Sequence, residues 1–207
     1  IPGETDSTLN VTANGTYKVV VQCANGCTDD DTVTVTQNTD HPTVDITPEG
    51  GQLTCATTFI LLTANTSGSA CSVNSYKWYK NGSQIPGETD STLNVTAPGE
   101  YKVVVQCANG CTDDDTVTVT QNIVKPTATA SSNSPVPQGA TIQLIGGPDG
   151  MASYYWTGPN GFTSYSQNST IPNATMAMAG NYTLTVTNSN GCTDDATTNV
   201  VVTVPVR

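Results

Sequence analysis

The chain has 207 residues, of which 11% are charged and 36% are hydrophobic, and its formal net charge is −11. A charged share this low, together with abundant threonine, glycine and proline, is typical of short strands and turns and not of helices. Six basic residues against 17 acidic ones exclude the basic surface that nucleic acid requires, and no apolar run is long enough to span a membrane.

The chain begins with a segment that it later repeats. Residues 1–38 recur as residues 85–122 with two substitutions, at positions 14 and 16 of the first copy. A third, diverged copy runs from Ala179 to Asp195. The spacing of the copies gives a repeat of about 80 residues, which is the size of a small β-sandwich domain.

This register divides the chain into three parts. Residues 1–40 form the C-terminal half of a repeat, residues 41–124 a complete repeat, and residues 125–207 a diverged one. The joints between them are short and end at Pro42 and Pro126, so we expect limited bending. The half repeat is expected either to belong to a longer array or to be completed by another chain.

Alternation of apolar and polar residues predicts strands throughout and no helix of useful length. In the middle repeat, Asn109-Gly110 marks the tight turn between the last two strands. The predicted strands of that repeat contain, in chain order, the run 57–64, Tyr76 with Trp78, the run 92–95, Tyr101 with Val103 and Val105, and Val117 with Val119. The third domain repeats the pattern with Trp156, Tyr182 and Val200.

Each complete repeat places a tryptophan on a central strand and a Gly-x-Tyr sequence at the start of a late strand. These are Trp78 with Gly99-Glu100-Tyr101, and Trp156 with Gly180-Asn181-Tyr182. The pattern is that of an immunoglobulin-like sandwich with a tyrosine corner.

The sequence therefore resembles the immunoglobulin-like or PKD-like tandem repeats of large bacterial and archaeal cell-surface proteins. The segments 156–162 and 180–192 are very typical of that family. The resemblance implies an all-β fold of tandem immunoglobulin-like sandwiches of about 80 residues each. It also implies an extracellular, cell-surface location and a non-enzymatic role as adhesin, stalk, sheath or filament component.

Four of the seven cysteines lie in the middle repeat. Cys55 precedes its second strand and Cys111 opens its last, whereas Cys71 precedes the Trp78 strand and Cys107 closes the strand opposite. We expect the bridges Cys55–Cys111 and Cys71–Cys107, the first of which would close a loop of about 57 residues. A Cys107–Cys111 bridge across the turn is the alternative, and free thiols are the third interpretation.

Three cysteines are left over by this pairing, namely Cys23, Cys27 and Cys192. The position in the third domain that corresponds to Cys55 falls near Gln138, so Cys192 has no predicted partner in its own domain. These thiols are either vestigial or bonded to another domain or chain, because an odd cysteine in a secreted protein invites such a bond.

Eight asparagines stand in N-glycosylation sequons, a high number for a chain of this length. Some are expected to carry glycans if the source organism glycosylates asparagine. The eight are Asn10, Asn14, Asn65, Asn81, Asn94, Asn168, Asn173 and Asn181.

Runs of aspartate follow the turn before the last strand in every copy, as in Asp113, Asp114 and Asp115. Calcium needs six to eight oxygen ligands, and adjacent residues of a strand point to alternate faces, so at most two of the three carboxylates converge. The alternative is a solvated strand edge that resists aggregation. Calcium is the only cofactor suggested by the sequence.

The sequence offers no catalytic residues and no cofactor-binding motif, so we predict a protein that is not an enzyme. The predicted function is a structural one, in which the array forms or contributes to a cell-surface filament, sheath or stalk. Its expected partners are copies of itself, in a homo-oligomer or polymer, and N-linked glycans, with neither nucleic acid nor membrane insertion. The alternative is a ligand- or glycan-binding adhesin, whose site would lie around Gly146–Gly150 and Trp156–Phe162 of the third domain.

Overall fold

The computed structural model describes residue 1 and residues 3–204. The chain folds into an N-terminal hairpin and two β-sandwiches, with no α-helix in the described part. The hairpin consists of β1 (Gly15–Gln22) and β2 (Thr28–Val35), which pair antiparallel from Gly15↔Val35 to Gln22↔Thr28.

The middle domain contains eight strands in two sheets. They are β3 (Asp45–Thr47), β4 (Gly51–Thr54), β5 (Ile60–Asn65), β6 (Val73–Lys80), β7 (Ser83–Gln84), β8 (Thr92–Val95), β9 (Gly99–Cys107) and β10 (Thr112–Asn122). One sheet has the order β4-β10-β9-β6-β7 and the other the order β3-β5-β8. All pairs in these sheets are antiparallel except β4 with β10, which run parallel from Val119↔Gly51 to Asn122↔Thr54.

The third domain has a similar plan and also contains two single-turn 3-10 helices, Pro159–Gly161 and Met176–Met178. Its strands are β11 (Thr129–Ser132), β12 (Val136–Pro137), β13 (Ile142–Gly147), β14 (Ser153–Gly158), β15 (Phe162–Ser164), β16 (Ser169–Ile171), β17 (Gly180–Thr187), β18 (Thr193–Val200) and β19 (Val202–Thr203). The sheets have the orders β15-β14-β17-β18 and β11-β13-β16, and β12 pairs parallel with β19.

Each sandwich has its own core, centred on a fully buried tryptophan. Trp78 and Trp156 are inaccessible to solvent, and their indole N–H groups donate to the carbonyls of Asp90 and Gln167 at 2.9 and 3.0 Å. The two cores share no residue. Because buried indoles need both apolar packing and a partner for the N–H, these contacts account for the complete burial of each tryptophan.

The tyrosine corner predicted for the two complete repeats is present in both, and the N-terminal hairpin has it as well. The hydroxyls of Tyr17, Tyr101 and Tyr182 each donate to the carbonyl of the residue four positions earlier, at 2.9, 2.8 and 2.9 Å. The corner fastens the loop that enters each of these late strands. Burial of Tyr182 raises the pKa of its phenol above the ordinary value of 10.0.

Candidate functional site

The candidate site is the joint between the two sandwiches, where one cysteine of each domain meets the other. On the side of the third domain, the turn from Asn188 to Cys192 is closed by two backbone hydrogen bonds. The amide of Asn188 donates to Cys192 at 3.0 Å, and that of Gly191 donates to Asn188 at 3.0 Å. Gly191 has φ +75°, which its lack of a side chain permits, and the turn presents Cys192 at the end of the domain.

On the side of the middle domain, Cys55 follows the end of β4 in a turn organised by Thr54. The side-chain oxygen of Thr54 accepts from the amides of Ala56 and Thr57, at 3.2 and 2.9 Å. Because β4 runs parallel to β10, this turn lies at the end of the domain from which the chain leaves for the third domain.

A disulfide joins Cys55 to Cys192 with their Cα atoms 5.0 Å apart, so the predicted Cys55–Cys111 bridge is wrong. Cys111 precedes the first residue of β10, whereas Cys55 lies beyond the last pair of that strand, Asn122↔Thr54. An eleven-residue strand is roughly 35 Å long, far beyond the span of a disulfide. The sequence placed both cysteines near strand ends but did not reveal that these ends are opposite.

The two bridged cysteines are 137 residues apart in the sequence, and Cys192 is buried. Of the two interpretations of Cys192, a vestigial thiol and a bond to another domain, the structure supports the second. Two domains that the chain already connects through residues 123–127 thus acquire a second, covalent connection. A joint held at two points permits much less rotation than a joint held only by a linker.

Two hydrogen bonds flank the disulfide. The amide of Ala56 donates to the carbonyl of Asn190 at 3.1 Å, and the side-chain amide of Asn188 donates to the carbonyl of Val124 at 2.8 Å. The approach is so close that a Cβ atom on Gly191 would lie 2.7 Å from the Cβ of Ala56. Glycine is therefore required at this position both for its backbone angle and for the contact between domains.

The joint between the hairpin and the middle domain is held differently. The side-chain amide of Asn109 donates to the carbonyl of Asp40 at 2.9 Å and to the side-chain oxygen of Asn38 at 3.2 Å. Cys111 is half-buried beside this contact and unbonded, and Cys23 and Cys27 are exposed and unbonded.

The second predicted bridge of the middle domain, Cys71–Cys107, is present with Cα atoms 6.1 Å apart. It lies at the end of the β6–β9 ladder, where Val73 pairs with Cys107. The bridge therefore fastens two neighbouring strands of one sheet. The alternative Cys107–Cys111 bridge is not formed.

The aspartate runs hold strands in place. Asp113 and Asp115 lie on the inward row of β10, where their carboxylates accept from the amides of Val44 and Ile46 at 3.1 and 2.7 Å. Asp114 points outward and pairs with Lys102 at 2.8 Å. The third domain repeats the arrangement, since Asp194 accepts from the amide of Ala128 at 2.9 Å.

The carboxylates of Asp113, Asp114 and Asp115 therefore each have a different protein partner. Across residue 1 and residues 3–204, no group of three or more histidine, cysteine, aspartate or glutamate side chains is placed to hold a metal ion. The geometry gives the calcium hypothesis no support. The recurrence of the run at the same place in every copy was visible in the sequence, but the contacts that the carboxylates make were not.

All eight sequon asparagines are exposed, and they differ in what their side chains do. The side-chain amide nitrogen of Asn65, the atom to which a glycan would be attached, already donates to Thr47 at 2.8 Å. The side-chain oxygens of Asn81 and Asn168 accept from backbone amides at 2.9 and 3.1 Å. The side-chain oxygen of Asn181 accepts from the side-chain amide of Asn199 at 2.8 Å. The side chains of the other four, Asn10, Asn14, Asn94 and Asn173, make no hydrogen bond in the described structure.

A pair of tyrosines is exposed on the third domain. The rings of Tyr155 and Tyr165 lie with centroids 5.0 Å apart and planes inclined by 32°. Phe162, in the segment where the adhesin hypothesis would place its site, instead packs edge-on against the buried Tyr182, with centroids 5.6 Å apart. Among the described residues of the third domain, the exposed aromatic surface therefore consists of the rings of Tyr155 and Tyr165.

Comparison with known proteins agrees with this architecture. Residues 125–202 match the family model described as immunoglobulin domain. No curated protein matches the chain. None of the helical segments in the described structure has the length and hydropathy needed to cross a bilayer.

Solved structures with similar folds come from diverse sources. A 1.5-MDa bacterial ice-binding adhesin is 16% identical with a TM-score of 0.50, over 92% of this chain and 74% of that one. Three N-terminal domains of the outer capsid protein Hoc of bacteriophage RB49 are 19% identical with a TM-score of 0.45, over 79% of this chain and 59% of that one. The amphioxus IgVJ-C2 molecule is 20% identical with a TM-score of 0.34, over 73% of this chain and 99% of that one.

At 16% identity, the likeness to the adhesin shows the fold alone. The chain spans 59% of the length of the phage protein structure that it resembles. Domains of this fold are generally binding or structural modules, and disulfides of the kind seen here are typical of secreted and surface proteins. Residues 125–202 thus match the immunoglobulin domain family, and the chain as a whole is an all-β array of tandem immunoglobulin-like sandwiches.

Proposed function

We propose that this chain is a non-enzymatic, extracellular structural protein. Its immunoglobulin-like domains, joined by an interdomain disulfide, contribute to a cell-surface filament, sheath or stalk. The observation that carries the proposal is the Cys55–Cys192 bridge between consecutive sandwiches. A spacer or filament must keep its length under load, and a covalent bridge at the joint prevents the domains from folding back on each other.

The linker that connects the two sandwiches is short and held at both of its ends. The linker begins where β10 ends at Asn122, and Ala128 is already fastened to Asp194 of the third domain. The chain that is free to bend is therefore only about five residues long, and a linker this short has little reach of its own. Together with the disulfide, it fixes the relative orientation of the two domains.

The composition of the repeats supports a spacer. Residues 1–38 and 85–122 differ at only two positions, so the residues that face solvent are also almost identical in the two copies. A binding site confined to one repeat would require its surface to differ from that of the next, whereas a spacer has no such requirement. Disulfides persist in oxidising compartments, which supports the extracellular placement, and the exposed sequons supply positions for N-linked glycans.

Negative-stain electron microscopy of the oxidised chain, at concentrations that favour association, tests assembly. We expect linear particles or a regular lattice, and we expect the Cys192→Ser variant to form shorter and more curved particles. Cys27→Ser serves as the matched control, because it removes an exposed thiol outside the joint. Compact, unassociated particles in the native material at every concentration would contradict a filament or sheath role.

The Tyr155–Tyr165 pair favours one second candidate, a glycan-binding adhesin. Exposed aromatic rings bind the apolar faces of sugars, and these two rings lie on the diverged third domain. Glycan-array binding that is lost in Tyr165→Ala and kept in Phe59→Ala, which changes an exposed ring of the middle domain, would support it. Absence of binding to any glycan by the parent chain would contradict it.

A further inference from the structure

The N-terminal hairpin exposes a face that its counterpart in the middle domain buries. Val19, Val21 and Val33 of the hairpin are 55, 59 and 61% exposed. The corresponding residues of β9 and β10 are Val103, Val105 and Val117, which are 0, 0 and 7% exposed. The two hairpins have the same pairing register, and over these strands their sequences differ at one position, where Thr16 corresponds to Glu100. The valines themselves are identical, so the difference in their exposure comes from what covers them.

The structure shows what covers this face in the middle domain. Residues 41–84 wrap β9 and β10, with β6 pairing antiparallel to β9 and β4 pairing parallel to β10. Trp78, Leu53 and Leu62 from this segment fill the core against the valines. A segment of the same kind is therefore complementary in shape, register and chemistry to the hairpin β1–β2.

Cys111 is a free cysteine, and it lies where the β4-type strand of such a segment would end. The turn from Cys107 to Cys111 has the same hydrogen bonds as the turn from Asn188 to Cys192, in which the amide of the first residue donates to the last. Cys111 thus occupies the position of Cys192, which is bonded to Cys55 of the preceding sandwich.

The same end of the hairpin is already docked on this turn. In the middle domain, Thr54 pairs with Asn122, and Cys55 follows immediately. The residue of the hairpin that corresponds to Asn122 is Asn38, whose side chain contacts Asn109, two residues from Cys111. A segment paired with the hairpin in the register of β4 would therefore present its Cys55-type cysteine next to Cys111.

We propose that the hairpin β1–β2 and Cys111 together form the acceptor for an additional copy of segment 41–84, joined to the N-terminal side of the hairpin in the same polypeptide. Docking closes two disulfides, one between the Cys55-type cysteine and Cys111 and one between the Cys71-type cysteine and Cys23. This proposal rests on the proposed function, because it extends the interdomain disulfide to every joint of the array.

A second molecule of this chain is a poor source for the segment. A molecule that gave its own residues 41–84 to the hairpin of a neighbour would expose its own β9–β10 to the same extent. Such an exchange leaves the number of uncovered hairpins unchanged, so only an additional copy of the segment buries more apolar surface.

The oxidation balances as two thiol–disulfide exchanges. Each bridge forms when a thiolate attacks a low-molecular-weight disulfide such as oxidised glutathione, and the second cysteine then displaces the bound glutathione. For each protein disulfide, two cysteine thiols lose two protons and two electrons, and one glutathione disulfide becomes two thiols. Folding in a glutathione redox buffer supplies this oxidant.

The test is a chimeric chain in which a copy of residues 41–84 precedes Ile1. Ile1 corresponds to Ile85, so the junction reproduces the natural sequence around Gln84. The parent has three free thiols, on Cys23, Cys27 and Cys111. Although the chimera gains two cysteines, we expect its free thiols, counted with Ellman's reagent after denaturation, to fall from three to one, on Cys27.

Peptide mapping by mass spectrometry should identify both new bridges, and binding of the hydrophobic dye ANS should fall below that of the parent. The control is the chimera with Cys111→Ser, which we expect to keep two free thiols and the lower dye binding. If the chimera keeps three free thiols while dye binding falls, the Cys111 bridge is overturned. If intermolecular disulfides appear on a non-reducing gel, docking within one polypeptide is overturned.

A chimera whose added segment carries alanine in place of both cysteines tests docking without the bridges. Slow amide exchange in β1 and β2 of this variant supports docking, and exchange as fast as in the parent overturns it. In every variant, a mapped Cys55–Cys192 bridge shows that the joint of the proposed function is intact. Failure of the chimera can therefore be distinguished from failure of the array joined by the interdomain disulfide.

Discussion

Removal of the disulfide at the joint should loosen the array and destabilise its third domain. In Cys192→Ser the side chain stays small, but the joint keeps only the hydrogen bonds from Ala56 to Asn190 and from Asn188 to Val124. Each contributes about 1 kcal/mol net, which is too little to hold two domains rigidly against their rotational freedom. We therefore expect a flexible joint.

The stability effect follows from loop closure. When the third domain unfolds while the middle domain remains folded, the bridge keeps the chain between the joint and Cys192 closed as a loop of about 70 residues. The chain-entropy relation then gives a loss of about 4 kcal/mol in the free energy of unfolding when the bridge is removed. For a domain of this size, each kcal/mol shifts Tm by roughly 4–8 °C, so the third domain should melt about 15–30 °C lower.

Differential scanning calorimetry separates the transitions of the two domains, and small-angle X-ray scattering measures the spread of interdomain distances. The variant should show one lowered transition and a broader distance distribution, while Cys27→Ser should match the parent in both. Melting and scattering indistinguishable from the parent would refute the reasoning, because the bridge would then constrain neither the unfolded chain nor the joint.

Two further results are expected. Asp115→Ala leaves the buried amide of Ile46 without an acceptor and should lower the middle domain's free energy of unfolding, measured by chemical denaturation, by about 1–3 kcal/mol. The control Asp114→Ala removes only an exposed ion pair and should cost under about 1 kcal/mol. Equal losses in the two variants would contradict the role of Asp115 in holding β3 against β10. The pKa of Tyr182 is raised in the folded domain, so ionisation of this phenol should leave the Tm of the third domain unchanged below pH 10. Above pH 10 the Tm should fall as the pH rises through the folded pKa, because the phenol ionises in the unfolded chain before it ionises in the folded domain. Tyr182→Phe should show a shallower decline of Tm with pH, and the same decline as in the parent would contradict this prediction.

Much of each domain's internal structure could be predicted from local pattern. The alternation in β9 and β10, the Asn-Gly turn and the spacing of Trp78 and Tyr101 depend on a few neighbouring residues and on the period of a strand, so a single sequence reveals them. The Cys71–Cys107 bridge was predictable for a similar reason, because it joins adjacent strands of one sheet.

The partners of Cys55 and of the aspartates could not be read in this way. Whether Cys55 lies near Cys111 or near Cys192 depends on the direction in which β4 runs along β10 and on which domain end faces the next sandwich. Likewise, the aspartate run was visible as a repeat, but its role required knowing that Val44 and Ile46 pass beside it.

The sequence by itself determined the all-β character, the repeat and the central core residues of these sandwiches, such as Trp78 and Trp156, because burial and strand period leave their mark on consecutive residues. It was wrong about Phe59 and Leu61, which lie in a run expected to be buried and are 57 and 47% exposed. Only the tertiary structure decided that the odd cysteine of the third domain bonds to the middle one and that the same hairpin is buried in one place and exposed in another. Both outcomes depend on contacts between segments far apart in the chain, and such contacts arise from the packing of whole strands and domains, which no local pattern records.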